Sequence, residues 1–200
     1  MIYPRDEITG VILAGGRGRR MGGVDKGLTQ LAGKPMLWHV LEALQPQVTK
    51  VIINANQNLE SYRDFGHQIV SDVIGDYSGP LAGMASGMQA ATTTYIVTVP
   101  CDSPLIASDL VARMYHDLND HTAEVCVAHD GKRTHPVFLL LKRDLIASML
   151  DFLNAGERKI DKWFVKHRTT MSDFSDQPEA FLNVNNPQDI ETLEESLKIR

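Results

Sequence analysis

Short unbroken apolar runs alternate along this chain with longer stretches in which apolar positions recur at helical spacing. An apolar run without polar interruption reads as a strand buried on both faces, and the spaced pattern reads as a helix with one buried stripe. Strands are predicted over residues 8–14, 50–54, 68–70, 95–99, 124–128 and 136–141. Helices are predicted over 35–44, where Pro35 takes a first-turn position, and over 58–65, 80–91, 108–118, 143–153, 158–167 and 187–197. Such alternation predicts an α/β fold: three αβα layers around a mainly parallel, Rossmann-like sheet covered on both faces. No internal repeat, low-complexity tract or Gly/Ser linker divides the pattern, so a single domain over residues 1–200 is expected.

In sheets of this kind ligands bind beyond the carboxyl ends of the strands. That edge collects Gly15 to Lys26, Asn54, Ser71, Asp72, Cys101 and Asp102. The first loop, "LAGGRGRRMGGVDKGL" at 13–28, is the most unusual of these segments. Its glycines let backbone N–H groups approach an anion, and Arg17, Arg19, Arg20 and Lys26 supply countercharge, so phosphate is the anion it suits. A solvated basic loop whose glycines serve only turns has the same composition. Known phosphate loops fit poorly. From Gly27 to Gly33 and Lys34 there is one residue too many for a Walker A loop, and Pro35 replaces its metal-binding Ser or Thr. Met21 stands at the third glycine of a dinucleotide fingerprint. The loop is long enough to wrap a whole triphosphate.

Composition makes the basic loop a local feature. The 200 residues are 43% hydrophobic and 22% charged with a net charge of -5, which argues against a general nucleic-acid or membrane binder. Only two cysteines occur, no apolar stretch is long enough for a membrane span, and the first residues lack a secretory signal. A cytoplasmic protein is expected. In "VTVPCDSP" (97–104), Asp102 lies at a strand end between two prolines, well placed to hold Mg²⁺ against substrate phosphates. An Asp capping the following turn is the competing reading.

Residues 13–28 resemble the signature of the nucleotidyltransferases of Rossmann-like fold, in which a strand ends in a Leu-Ala-Gly/Ala-Gly loop followed by Arg-Met-Gly and a lysine. The ordered set "GVDKGL", "GKPMLWHV", "VIINAN", "YSGPLAGM", "PCDSP", "DGKRTHPVF", "AGERKI" and "FLNVNNPQDIETL", spread over about residues 8–193, is similar to the molybdenum cofactor guanylyltransferase family. The resemblance implies transfer of GMP from GTP to the terminal phosphate of molybdopterin, with Mg²⁺ as cofactor. It implies nucleotide binding by Leu13, Ala14, Gly15, Gly16, Lys26, Asn54, Asp72 and Asp102, with Asp102 holding the metal. Lys26, Arg20 and Asp102 would carry the catalysis, Arg20 being preferred among the arginines because it precedes Met21 as in the family pattern. Gly79, Pro80, Arg158, Asn183 and Asn185 would serve the acceptor. The GTP half would span about 8–105 and the acceptor half about 106–200. Partners beyond the two substrates are restricted to passing contacts with proteins that supply or accept the cofactor, with no nucleic acid and no membrane. Where the family reads Asn-Thr-Pro this chain has Asn-Asn-Pro at 185–187, and Asn186 can still cap the last helix.

Other conspicuous residues read as structural. Cys101 reads as a small buried residue at a strand end, Met84 and Met88 as core packing at i, i+4, and His135 equally as structural or substrate-facing. Two rival functions remain: a cytidylyltransferase of the same fold, and a nucleotide-binding module without turnover. Gly16 bears on the first, since a missing Cβ leaves room for a purine.

Overall fold

The computed structural model describes residues 2–16, 25–75 and 79–198. Seven strands form one sheet: β1 (Ile8–Leu13), β4 (Lys50–Asn54), β5 (Gln68–Val70), β6 (Tyr95–Pro100), β7 (Val125–His129), β8 (Thr134–Lys142) and β9 (Thr169–Asp173). A small hairpin, β2 (Gln30–Leu31) with β3 (Lys34–Pro35), stands apart. The helices are α1 (Met36–Leu44), α2 (Leu59–Arg63), α3 (Pro80–Ala90), α4 (Leu110–Asp120), α5 (Ile146–Asn154), α6 (Ile160–Phe164) and α7 (Pro187–Lys198). The sheet order is β5-β4-β1-β6-β8-β7-β9, parallel except for β8, which runs antiparallel to both neighbours.

Period-two alternation splits every central strand between two apolar layers. Val51 and Ile53 of β4, Val97 and Val99 of β6, and Cys126 and Ala128 of β7 face α1 and α4. Ile52, Ile96, Val125 and Val127 face α3, α5 and α6. Both faces being buried, the strands read as continuous apolar runs, which is why they were legible. The small residues of α3 bring it close to the sheet: a Cβ on Gly87 would come 2.6 Å from Val11, and one on Gly83 would collide with the Asn54 side chain. Met84 and Met88 are fully buried on that helix, as their spacing predicts.

The structure corrects several boundaries. Pro35 belongs to β3 with extended backbone (ψ 143°), so α1 starts at Met36. The fourth long helix starts at Leu110, and residues 143–145 form a 3-10 turn ahead of α5. The segment predicted as a helix over 158–167 holds only the five residues of α6. Two features had no counterpart in the hydrophobic pattern. The loop predicted between the first strand and helix contains the β2–β3 hairpin, turned by Ala32 and Gly33 at φ 50° and 78°. The strand β9, "TTMSD", is polar, and its ladder to β7 from Val125↔Thr169 to His129↔Asp173 makes it a strand. Among the described residues no helix is long and apolar enough to cross a membrane.

The reversal of β8 has a local cause. Residues 130–133 join it to β7, with Gly131 at φ 86° and the Asp130 carboxylate accepting the N–H groups of Lys132 and Arg133, both at 2.8 Å. So short a link permits only antiparallel pairing. It also returns His135 to the sheet edge where β6 ends.

Candidate active site

Strand register aligns the carboxyl ends of the first half of the sheet. Leu13 lies opposite both Asn54 and Pro100, and Asn54 opposite Val70. The segments beginning at Ala14, Ala55, Ser71 and Cys101 therefore leave the sheet at one level, as predicted.

Two polar clusters occupy this edge. In the first, the Asp72 carboxylate accepts from the Asn54 amide at Oδ1 (2.9 Å) and from the Asn56 amide at Oδ2 (2.9 Å). Asn56 also accepts the Asp72 backbone N–H (2.9 Å) and donates to the Gly15 carbonyl (3.2 Å). Three strand ends are thus tied by neutral amides around one carboxylate. A Cβ on Gly15 would come 2.7 Å from the Asn56 amide nitrogen and 2.9 Å from the Asn54 Oδ1, so the network requires glycine there. A Cβ on Gly16 would meet nothing within 4 Å. No packing demand explains that second glycine.

The second cluster is ionic. Lys26 Nζ donates to Asp102 Oδ2 at 2.8 Å and to Asn185 Oδ1 at 2.6 Å, and the Lys26 and Asp102 side chains are only 23% and 13% exposed. Asn185 reaches this corner because its segment is tied to the end of β6. The Val184 N–H donates to the Asp102 carbonyl (2.9 Å), and Ser103 Oγ donates to Asn183 Oδ1 (2.6 Å). The helix α7 fixes the other side of the segment: Asp189 accepts the N–H of Asn185 (2.7 Å), while Asn186 Oδ1 accepts the N–H of Asp189 (2.9 Å). Asn186 does cap the last helix, in a reciprocal arrangement with Asp189. The side chain of Asp102 turns to Lys26, and no side-chain hydrogen bond among the described residues ties it to the following turn.

Lys26 itself sits in a 3-10 turn, Lys26–Leu28, whose preceding residue is Asp25. The Asp25 carboxylate accepts from the Gly27 N–H (3.1 Å), the Asn58 amide (3.0 Å) and the buried Tyr62 hydroxyl. Neither Asp25 nor Asn56 had been assigned a role from sequence. Each lies within a motif quoted above, but its side-chain and long-range partners are separated from it by 16 to 41 positions.

Burial, reinforced by the carboxylates of Asp102 and Asp25, pushes the Cys101 thiol far up, so it has no nucleophilic character beside the site. Gly79, at φ 79°, and Pro80 start α3 at the same edge, with the helix N-terminus directed there. Arg158 is placed differently. Its guanidinium donates to the carbonyls of Leu153 (2.7 Å) and Glu157 (2.8 Å), closing the end of α5, and no hydrogen bond among the described residues joins it to Lys26, Asp102 or Asn185. Arg17, Arg19 and Arg20 lie outside the described residues. His135 is structural in its contacts: its Nε2 is 2.8 Å from Asp130, and its ring stacks on Phe181 with centroids 4.4 Å apart. The Asp130 carboxyl is held well below its usual range by the Arg133 N–H and then by His135.

The MobA-like NTP transferase domain family matches residues 10–170. The molybdenum cofactor guanylyltransferase of Shewanella sediminis is 51% identical over 191 residues, 96% of this chain and 97% of that protein. The enzyme of the same name from Shewanella halifaxensis is also 51% identical, over 96% of each chain. Among solved structures, the molybdopterin-guanine dinucleotide biosynthesis protein A of Archaeoglobus fulgidus superposes with a TM-score of 0.78 at 17% identity, covering 96% of this chain and all of that one. That last likeness concerns the fold.

Proposed function

The chain belongs to the MobA-like NTP transferase family, with molybdenum cofactor guanylyltransferases as its half-identical relatives, and from this premise we propose how its residues move GMP from GTP to molybdopterin. An oxygen of the acceptor's terminal phosphate bonds to the α-phosphorus of GTP. The bond from that phosphorus to the bridging oxygen breaks, and its electron pair leaves with pyrophosphate. Two anionic groups must meet, so positioning and charge neutralisation carry the catalysis, and no protein nucleophile is needed.

The observation that carries this reading is the Lys26 ammonium held between Asp102 and Asn185 at the edge where the strands end. Lys26 is placed to exchange these oxygens for substrate phosphate. Asp102 would hold the divalent metal, Mg²⁺ in this reading. The fit rests on donor chemistry: a carboxylate oxygen already accepts a cation here, and the amide oxygen of Asn185 lies beside it. Mg²⁺ binds with one or two protein carboxylates and leaves much of its shell to substrate phosphates and water, which a single Asp102 would serve. When bound, the metal neutralises charge on the phosphates.

The Asn54–Asn56–Asp72 network, with the backbone of Leu13, Ala14 and Gly15, is assigned to the nucleoside, and the open space at Gly16 to the purine. Asn183 and Asn185 are assigned to the acceptor together with Gly79, Pro80 and Arg158, and Arg20 to phosphate. Asn185 thereby joins the two halves of the site, since it touches Lys26 directly. A cytoplasmic setting and a single catalytic domain complete the proposal.

The test incubates the purified chain with molybdopterin, Mg²⁺ and either GTP or CTP, following pyrophosphate release and resolving the pterin product by chromatography. A guanylated pterin is expected. Product from CTP alone would overturn the assignment. Binding of GTP without pyrophosphate release would leave only a nucleotide-binding module.

A further inference from the structure

We propose that Asp25 is the positioning residue for Lys26, its carboxylate anchoring to α2 the turn that carries the ammonium to Asp102. The inference rests on the reading of Lys26 as a phosphate-binding group.

A lysine has a long flexible stem whose ordering costs rotamer entropy. Lys26 starts from a turn of only three residues, and such 3-10 turns have poor intrinsic hydrogen-bond geometry. Nothing in that turn alone would hold the side chain toward one oxygen of Asp102. Asp25 supplies the constraint. One carboxylate oxygen caps the turn through the Gly27 N–H and receives the Tyr62 hydroxyl, and the other receives the Asn58 amide. Its carbonyl accepts from the Leu28 N–H and the Thr29 hydroxyl, both at 3.1 Å. Donors thus come both from the turn and from α2.

Two of the partners, Tyr62 and Gly27, are buried. Tyr62 is fully buried, and burial, together with its neighbours Cys101 and Asp25, keeps the phenol protonated and therefore a donor. A Cβ on Gly27 would come 2.6 Å from the Tyr62 hydroxyl, so a side chain there would push the turn off its anchor. Asn58 adopts the left-handed region (φ 51°, ψ 34°) at the start of α2 while its amide donates to Asp25. The segment "DKGL" accordingly has three distinct parts: Asp25 anchors, Lys26 acts, and Gly27 permits the approach.

The experiment is a double-mutant cycle on the full chain with GTP, molybdopterin and Mg²⁺. Asp25→Asn keeps the size of the side chain but places an amide donor against donors; kcat is expected to fall about tenfold to a hundredfold, the range for residues that orient an acting group. Tyr62→Phe removes one donor and should lower kcat about fivefold in the same direction. On a Lys26→Ala background, Asp25→Asn should cause no further loss, because the residue acts only through Lys26. Guanosine affinity should be unchanged in all variants. Additive losses in the cycle, or full kcat in a folded Asp25→Asn protein, would overturn the proposal. If Lys26→Ala itself leaves kcat intact, the reading of Lys26 has failed and this inference fails with it, so the Lys26 arm tells the two failures apart.

Discussion

The two polar clusters at the strand ends differ in kind. Among the described residues every partner of Asp72 is a neutral amide or backbone group, and each contributing segment leaves an adjacent strand. Beside Asp102 the Lys26 ammonium is shared between that carboxylate and the amide oxygen of Asn185, drawn together from positions 26 and 185, which are 159 apart. In the first cluster both Asp72 oxygens are engaged. Such a network is stiff and suited to recognising a shape and a pattern of donors. The second is a largely buried ion pair, its side chains 23% and 13% exposed, whose cation also donates to a neutral amide oxygen. In the proposed function, recognition falls to the amide network and chemistry to the ion pair, side by side on one edge.

The sharpest way to break this division is Asp102→Asn, which keeps the hydrogen-bonding shape but removes the charge. Metal-dependent turnover should fall by on the order of a thousandfold, measured as guanylated pterin formed across a Mg²⁺ titration. A wild-type rate would mean the metal lies elsewhere. Next in size, Lys26→Ala should slow transfer about a hundredfold and weaken GTP far more than guanosine in calorimetry. Equal losses for both ligands would put Lys26 on the nucleoside.

Asn56→Ala addresses the other cluster. GTP and guanosine should weaken alike, by about tenfold, because the Asp72 carboxylate loses an orienting amide. A defect confined to triphosphates would merge the two clusters. Asn185→Ala should raise the KM for acceptor and for GTP together, each by about fivefold, because Asn185 touches Lys26 and is proposed to serve the acceptor as well. A change in the acceptor KM alone would restore a clean separation of halves. Smallest of all, Arg158→Ala should cost at most about 1 kcal/mol in chemical denaturation through the carbonyls it caps, leave GTP affinity unchanged and raise the acceptor KM. Loss of GTP binding would reverse the proposed division.

Much of this was legible before any coordinates. Strand runs such as "KVIIN" and "YIVTVP" announced themselves because both their faces are buried, and the rule that ligands bind at carboxyl ends placed Lys26, Asn54, Asp72 and Asp102 on one edge. The capping role of Asn186 was equally local, needing only its neighbour Asp189. Periodicity and capping act over a few residues, so a sequence displays them directly.

Long-range pairing left no such mark. That "TTMSD" is a strand follows from the free edge of β7, and that Asn185 rather than Arg158 meets Lys26 follows from the hydrogen bond tying Val184 to the end of β6. Asp25 had only a neighbouring lysine to recommend it until α2 folded over its carboxylate. Local pattern determined which residues could reach the edge of this sheet. Only tertiary packing decided which of them touch, because hydrogen bonds between distant segments are satisfied in space and impose no spacing on the chain.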